Sequence, residues 1–280
     1  MIEFHKVSFT YPGHASEHDR VLYNIDVRFE KGGFYCIVGS NGSGKSTMAC
    51  LINGINYPYS GKIFVDGTEV IPDNFLKIRQ KAGYVFQNPD NQIVSTTVDS
   101  EVAFALENLG VSYENMHRAV PEILKFVELS EYENTPPHML SGGQKQRLAI
   151  ASVVVTEPDY IIFDEPTSML DRNGKDEVNS LIRKLHRSGR TVILITHDIE
   201  EIVQSDQVVV LSEGRIIARC TPFEFFSDAA LCLRAGFVSI PDYVKIGIDM
   251  GIKDLNRENI IKIFSGKMME EHEKKDRCCD

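Results

Sequence analysis

Residues 39–47 read Gly39-Ser40-Asn41-Gly42-Ser43-Gly44-Lys45-Ser46-Thr47, a fit to G-x-x-x-x-G-K-[ST]. The chemistry of that spacing is anion binding. Glycines let successive backbone N–H groups curl round a phosphate, and a helix beginning there aims its positive end at the same point. Lys45 adds a point charge for β- and γ-phosphates, and the Ser46 hydroxyl can ligate Mg²⁺. The flanks supply the context such a loop needs. Phe34-Tyr35-Cys36-Ile37-Val38 before it has the pattern of a buried strand, and Met48-Ala49-Cys50-Leu51-Ile52 behind it that of a helix stopped at Gly54.

Two further stretches carry chemistry. Tyr160-Ile161-Ile162-Phe163-Asp164-Glu165 is four apolar residues followed by two acids, a buried strand delivering carboxylates at its C-terminal end, where ligands bind in open α/β sheets. Asp164 is placed to stand near Mg²⁺, and Glu165 to polarise an attacking water as a general base. A pair of acids that only caps a strand into solvent is the competing reading, and the phosphate loop upstream disfavours it. Leu140-Ser141-Gly142-Gly143-Gln144-Lys145-Gln146-Arg147 reads as a second helix N-terminus, since Ser141 and Gln144 have capping-box spacing. Gly142 and Gly143 leave its amides uncovered, so it too attracts anions. An ordinary capped helix explains Ser141 and Gln144 but not the paired glycines or the basic Lys145 and Arg147.

Three single residues are open on spacing alone. Tyr11 can stack on a nucleotide base or face the core from its strand. Gln87, directly after the short strand Ala82-Gly83-Tyr84-Val85-Phe86, can reach a metal or a water, or merely begin a turn. His197, directly after Thr191-Val192-Ile193-Leu194-Ile195-Thr196, can donate to a γ-phosphate oxygen or be a loop residue.

The elements that must position these residues follow from periodicity. Residues 1–70 are mainly β: Ile2-Glu3-Phe4, Val7-Ser8-Phe9-Thr10-Tyr11 and Asn24-Ile25-Asp26-Val27-Arg28-Phe29-Glu30 alternate, and Gly61-Lys62-Ile63-Phe64-Val65-Asp66-Gly67 is a strand with an Asp-Gly turn. Pro12-Gly13 ends the first run, and a polar loop follows from His14 to Arg20. Between about residues 90 and 150 the pattern becomes helical, with Val102, Ala103, Leu106 and Leu109 on one face and Val120, Ile123, Leu124 and Val127 on another. A helix with Val178, Leu181, Ile182 and Leu185 on one face ends at Gly189. Val208 to Leu211 and Arg215 to Ala218 form a hairpin. The expected fold class is α/β: a parallel sheet core, an antiparallel β subdomain and a helical insertion.

Global properties exclude several classes. The chain of 280 residues carries a formal charge of −10, which argues against a nucleic-acid binder. No apolar run approaches the roughly 18 residues of a membrane-spanning helix. The first residues have neither a basic leader nor an apolar stretch, so no signal peptide is expected. Six cysteines, Cys36, Cys50, Cys220, Cys232, Cys278 and Cys279, lack C-x-x-C spacing and read as reduced cytosolic thiols. The expected location is the cytoplasm, docked on a membrane protein.

In this order the pieces resemble an ATP-binding-cassette ATPase over about residues 1–220, with the P-loop NTPase (RecA-like) fold. Tyr11 resembles the adenine-stacking aromatic, Gly39 to Thr47 the Walker A loop and Gln87 the Q-loop. Leu140 to Gln144 matches the cassette signature, Tyr160 to Glu165 resembles Walker B with the catalytic glutamate, Ser168 to Asp171 the D-loop and His197 the switch histidine. The resemblance implies ATP and Mg²⁺ as ligands, with Ser46, Gln87 and Asp164 at the metal and Glu165, His197, Gln87 and Lys45 in hydrolysis. It implies Tyr11, residues 39–47, Ser141, Gly142, Gly143, Gln144 and Asp171 as nucleotide contacts, with Ser141 and Gly143 serving the nucleotide of a second, head-to-tail ATPase, identical or paralogous. Gln87-Asn88-Pro89-Asp90-Asn91-Gln92, Asp99-Ser100-Glu101-Val102-Ala103-Phe104 and Thr167-Ser168-Met169-Leu170-Asp171 further resemble the ATPase of energy-coupling-factor importers, and the loop at residues 39–42 its first paired form. Such importers take up vitamins, or cobalt and nickel ions. Their ATPases sit under a coupling membrane protein and a substrate-binding membrane protein, on the cytoplasmic face. An ATPase of another transporter, or a non-transport cassette ATPase, is the alternative; the latter usually has two cassettes or a coiled-coil insertion.

From Thr221-Pro222 onward the motifs end. Residues 221–280 form an extension whose apolar clusters (Leu231, Leu233, Phe237, Val238, then Ile246 to Phe264) make a marginal core alone. It is expected to pack on its own cassette or on the partner ATPase and help hold the pair together. Lys267 to Asp280 reads as a mixed-charge tail.

Overall fold

A computed structural model of the chain describes residues 1–11 and 20–263. Pro12-Gly13, the polar loop that follows to residue 19, and the tail with Phe264, Cys278 and Cys279 lie outside the described residues.

Two sheets form. The first is antiparallel, in the order β2 (Arg20–Phe29), β1 (Ile2–Thr10), β4 (Ser60–Val65), β5 (Thr68–Glu69). The two short alternating runs expected near the N-terminus are one bulged strand, with Lys6 in the left-handed region at φ 50°. The second sheet has six strands in the order β10 (Arg215–Cys220), β9 (Gln207–Ser212), β3 (Phe34–Val38), β8 (Thr191–Ile195), β7 (Tyr160–Asp164), β6 (Ala82–Val85). All neighbours in it are parallel except the β9–β10 hairpin.

Continuous apolar strands in this sheet are explained by two cores, one on each face. Phe34, Cys36, Val38, Ile161, Phe163, Val192 and Leu194 point into one. Their neighbours Tyr35, Ile37, Tyr160, Ile162, Ile193 and Ile195 point into the other, beneath the antiparallel sheet and α1 (Lys45–Ile52). Period-two geometry divides each strand between the cores. β7 and β8 are buried at every position.

After β5 comes α2 (Phe75–Lys81), a short helix that periodicity does not predict because only Ile78 of it is buried. Between β6 and β7 lie α3 (Val98–Glu107), α4 (Tyr113–Phe126) and α5 (Gly142–Val154), the expected helical insertion. Val102, Leu106, Val120, Leu124 and Val127 join the first core. α6 (Arg172–Arg187) buries Val178, Leu181, Ile182 and Leu185, the four residues its pattern places together. α7 (Ile199–Ile202) follows β8.

The extension forms α8 (Pro222–Ser227), α9 (Ala229–Arg234) and α10 (Asp242–Asp249). Phe225, Phe226, Cys232, Phe237, Val244, Leu255 and Ile260 share one apolar cluster with β9 and α6. These contacts pack the extension on its own cassette.

Candidate functional site

The residues singled out for chemistry converge on the C-terminal ends of the parallel strands. The phosphate loop follows β3, Asp164 ends β7, Glu165 comes next, Gln87 lies two residues beyond β6 and His197 two residues beyond β8. Such a crevice is where open α/β sheets bind ligands.

The loop turns with Gly42 at φ +78° and Gly44, the residue before α1, at φ +102°. A Cβ there would sit 2.7 Å from the Leu22 side chain as well as in the left-handed region. No side chain caps α1. Lys45 curls back instead, its Nζ donating to the carbonyls of Gly39 (2.8 Å) and Ser40 (3.2 Å). Burial lowers its pKa below the ordinary lysine value, with Glu165 and Asp164 working the other way. The buried Ser43 hydroxyl has no hydrogen-bond partner among the described residues. A buried hydroxyl left without a partner in this loop fits an anionic ligand.

Across from it, Ser46 Oγ donates to Asp164 Oδ1 (2.9 Å), and the Tyr84 hydroxyl donates to Asp164 Oδ2 (2.8 Å). Burial raises the Asp164 pKa, against those two hydrogen bonds. A hydroxyl and a carboxylate side by side are the hard oxygen donors that Mg²⁺ takes alongside phosphates, so the residues fit that ion. Tyr84 was legible only as a strand residue; nothing in its spacing signals that its hydroxyl ends at the acid.

Glu165 sits in the left-handed region (φ 47°), a conformation costing roughly 1–3 kcal/mol for a non-glycine residue. Its N–H is held by the Ile195 carbonyl at 3.0 Å. The carboxylate meets two partners: His197 Nε2 lies 3.3 Å from Oε1, and Gln87 Nε2 donates to Oε2 at 3.1 Å. The hydrogen bond with His197 holds Glu165 below its usual pKa, although burial opposes it. An ionised carboxylate therefore stands ready to accept a proton at neutral pH. Gln87 also donates to Ser168 Oγ (3.1 Å), so its amide nitrogen is committed to Glu165 and Ser168 and its amide oxygen is what it has for a cation or water.

Tyr11 does not face the core. Its ring is 43 % exposed, stands edge-on to Phe9 with centroids 4.9 Å apart, and its hydroxyl shares a 2.9 Å hydrogen bond with Thr47 Oγ1. The ring thus lies beside the phosphate loop.

Ser141, Gly142, Gly143 and Gln144 gather elsewhere. Ser141 N–H donates to Gln144 Oε1 (2.8 Å) and Gln144 N–H to Ser141 Oγ (3.3 Å), the expected capping box. Their neighbours come from the start of α6: a Cβ on Gly143 would lie 3.2 Å from Gly174 Cα, and one on Gly142 3.6 Å from Leu170. Asp171 Oδ1 accepts from Gly174 N–H (2.9 Å) and so caps α6. The basic pair read as part of this anion-attracting end is turned away from it. Lys145 pairs with Asp90 (2.8 Å), and the buried Arg147 donates to the Val127 and Glu128 carbonyls.

The profile of the ABC transporter family matches residues 22–168. The energy-coupling factor transporter ATP-binding protein EcfA1 of Caldanaerobacter subterraneus is 43 % identical over 273 residues, 94 % of this chain and 98 % of that protein. Among solved structures, cbiO1 from Clostridium perfringens, described as part of the ABC transporter complex cbiONQ, aligns with a TM-score of 0.73 and 34 % identity over 90 % of this chain and 98 % of that one. A dimeric ATP-binding cassette in a post-hydrolysis state with ADP and Pi bound aligns with a TM-score of 0.70 and 31 % identity, over 79 % of this chain and 99 % of that one.

Proposed function

The chain belongs to the ABC transporter family and, within it, to the ATP-binding proteins of energy-coupling factor transporters, and on that premise we propose how its residues divide the work. It is an ATPase whose hydrolysis powers membrane transport. In our reading the cargo is a vitamin or a transition-metal ion, reached through membrane partners that this chain drives without touching the cargo itself.

ATP phosphates lie in residues 39–47, held by backbone amides and Lys45, with Tyr11 against the base. Ser46 and Asp164, with the amide oxygen of Gln87, would hold Mg²⁺, which when bound would supply positive charge against the phosphates. Glu165 orients and deprotonates the attacking water. His197 positions the Glu165 carboxylate and donates to a γ-phosphate oxygen. Ser141 and Gly143 serve the nucleotide of a second ATPase set head to tail, identical or paralogous, with Asp171 placed between them and α6. Loss of the γ-phosphate then removes an anion shared by two helix N-termini and lets the pair separate. Gln87, bonded to Glu165, carries that change towards a coupling membrane protein and its substrate-binding companion at the cytoplasmic face. No described helix is long and apolar enough to cross a membrane, which fits a peripheral subunit.

The observation that carries this reading is the Glu165 carboxylate, held between His197 and Gln87 at the mouth of the phosphate loop. Glu165→Gln keeps the size of the side chain and removes the base. Turnover is expected to fall by about 10²–10⁴-fold, the range of a positioned acid–base group, while ATP binding persists. Wild-type turnover in that variant, measured by phosphate release, would exclude Glu165 as the base.

A further inference from the structure

The end of α9 brings the extension against the catalytic end of the cassette, and local geometry fixes that contact. α9 closes with Ala235 as its C-cap and Gly236 at φ +93°. Gly236 N–H bonds the Leu233 carbonyl (3.0 Å) and Phe237 N–H the Cys232 carbonyl (2.9 Å). These are the two bonds of a Schellman stop, and the apolar contact that usually accompanies it is present because Phe237 and Cys232 share one buried cluster. The direction of the Phe237 side chain is thereby set by the backbone of α9.

That ring is 8 % exposed and touches aromatic rings on two fronts. Phe225 and Phe226 stand nearly perpendicular to it, with centroids at 5.6 and 6.4 Å. On the cassette front it meets the imidazole of His197, tilted by 38° with centroids 6.3 Å apart. The same corner lies against the phosphate loop: a Cβ on Gly236 would be 3.6 Å from Ser40 Cα. The backbone behind His197 is fixed, since Asp198 N–H donates to Thr196 Oγ1 (2.9 Å) and Asp198 caps α7. Rotation about its two side-chain torsions is the freedom left to the imidazole, and the last of them is intrinsically broad.

We infer that Phe237 is a positioning residue for hydrolysis: the extension packs it against His197 and restricts the imidazole to the orientation that meets Glu165. This rests on the proposed role of His197. It gives the extension a part in turnover itself. A docked extension orders the histidine, and a displaced one releases it.

The test is a double-mutant cycle in the full-length chain, assembled with its partner ATPase, using Phe237→Leu, His197→Ala and the combination. Leucine keeps apolar volume for folding and removes the planar ring; melting temperature checks that folding is retained. Phe237→Leu is expected to lower kcat by about 3–10-fold with KM for ATP changed less than about twofold, the pattern of lost orientation rather than lost binding. In the His197→Ala background, read by single-turnover hydrolysis of radiolabelled ATP, the same substitution should change the rate by less than about twofold. Equal losses in both backgrounds, a matching rise in KM, or an unaltered kcat in Phe237→Leu would each overturn the inference. If His197→Ala alone left kcat intact, the role of His197 would fall first and the inference with it. Loss on His197→Ala with none on Phe237→Leu would overturn the inference alone.

Discussion

Two helix N-termini that the proposed function assigns to nucleotide phosphates are built differently. At α1 no side chain caps the helix, Gly44 opens the turn, and Lys45 turns back onto the loop carbonyls. At α5 the end is closed by its own reciprocal cap, and its glycines are used for close approach to α6. The first end is unsatisfied without a ligand; the second is stable without one. An end that is already capped gains from an anion only when one is brought to it, as the face of a partner subunit would do. The difference in local satisfaction therefore matches a division between an end that captures ATP and an end that senses captured ATP.

The largest effect on that contrast is expected at Lys45. Lys45→Ala removes a charged donor and the link that closes the loop on Gly39 and Ser40. Hydrogen bonds to charged groups are worth about 1.5–3 kcal/mol, so ATP affinity of the single chain should fall by roughly 10–100-fold. Calorimetric titration with ATP and Mg²⁺ checks this, and affinity within twofold of wild type would contradict the picture of α1 as the capturing end.

Ser141→Ala probes the other end. Losing the cap costs about 1 kcal/mol of stability, visible as a lower denaturation midpoint. ATP affinity of the single chain should stay within about twofold, whereas turnover of the assembled pair falls on the order of tenfold, the worth of one lost phosphate contact. A parallel drop in single-chain affinity would mean that both ends serve one site in the same chain, and the division would be gone.

Much of this was readable from the sequence for physical reasons. Apolar runs bounded by glycine or by acids identify β3 and β7 because burial on both faces leaves no room for polar residues, and the site residues hang on their ends. The cap at Ser141 and Gln144 was readable because it is local. Lys145 and Arg147 show where such reading stops. Their charge suggested a ligand, but Asp90 and the Val127 carbonyl, distant in sequence, take them instead. Tyr84 on Asp164 and Phe237 on His197 are likewise contacts between segments that no short-range pattern connects. Helix α2 escaped notice because a helix burying one residue has no periodicity to show.

The smallest effect is expected at Glu201. It is 2 % exposed, accepts from Thr167 Oγ1 at 2.7 Å, and its other oxygen, Oε2, has no partner among the described residues. Thr167 precedes the Leu170–Asp171 segment near α5, while Glu201 belongs to α7, just after His197. Burial raises the Glu201 pKa, with hydrogen bonds from Thr196 and Thr167 opposing it. A carboxyl whose folded pKa exceeds its unfolded value stabilises the fold below the unfolded value, and that contribution is lost as pH rises through the folded one. Glutamine keeps an oxygen for Thr167 and has no charge to bury. The Tm of Glu201→Gln relative to wild type should therefore increase as pH rises from the acid range to neutrality and then level off. The total change should be a few degrees, on the order of the ~2–4 °C that 1 kcal/mol produces at this chain length. A difference that instead falls as pH rises would mean that Glu201 is stabilised as an anion, and one independent of pH would mean that folding leaves its pKa unshifted; either outcome contradicts a neutral buried carboxyl.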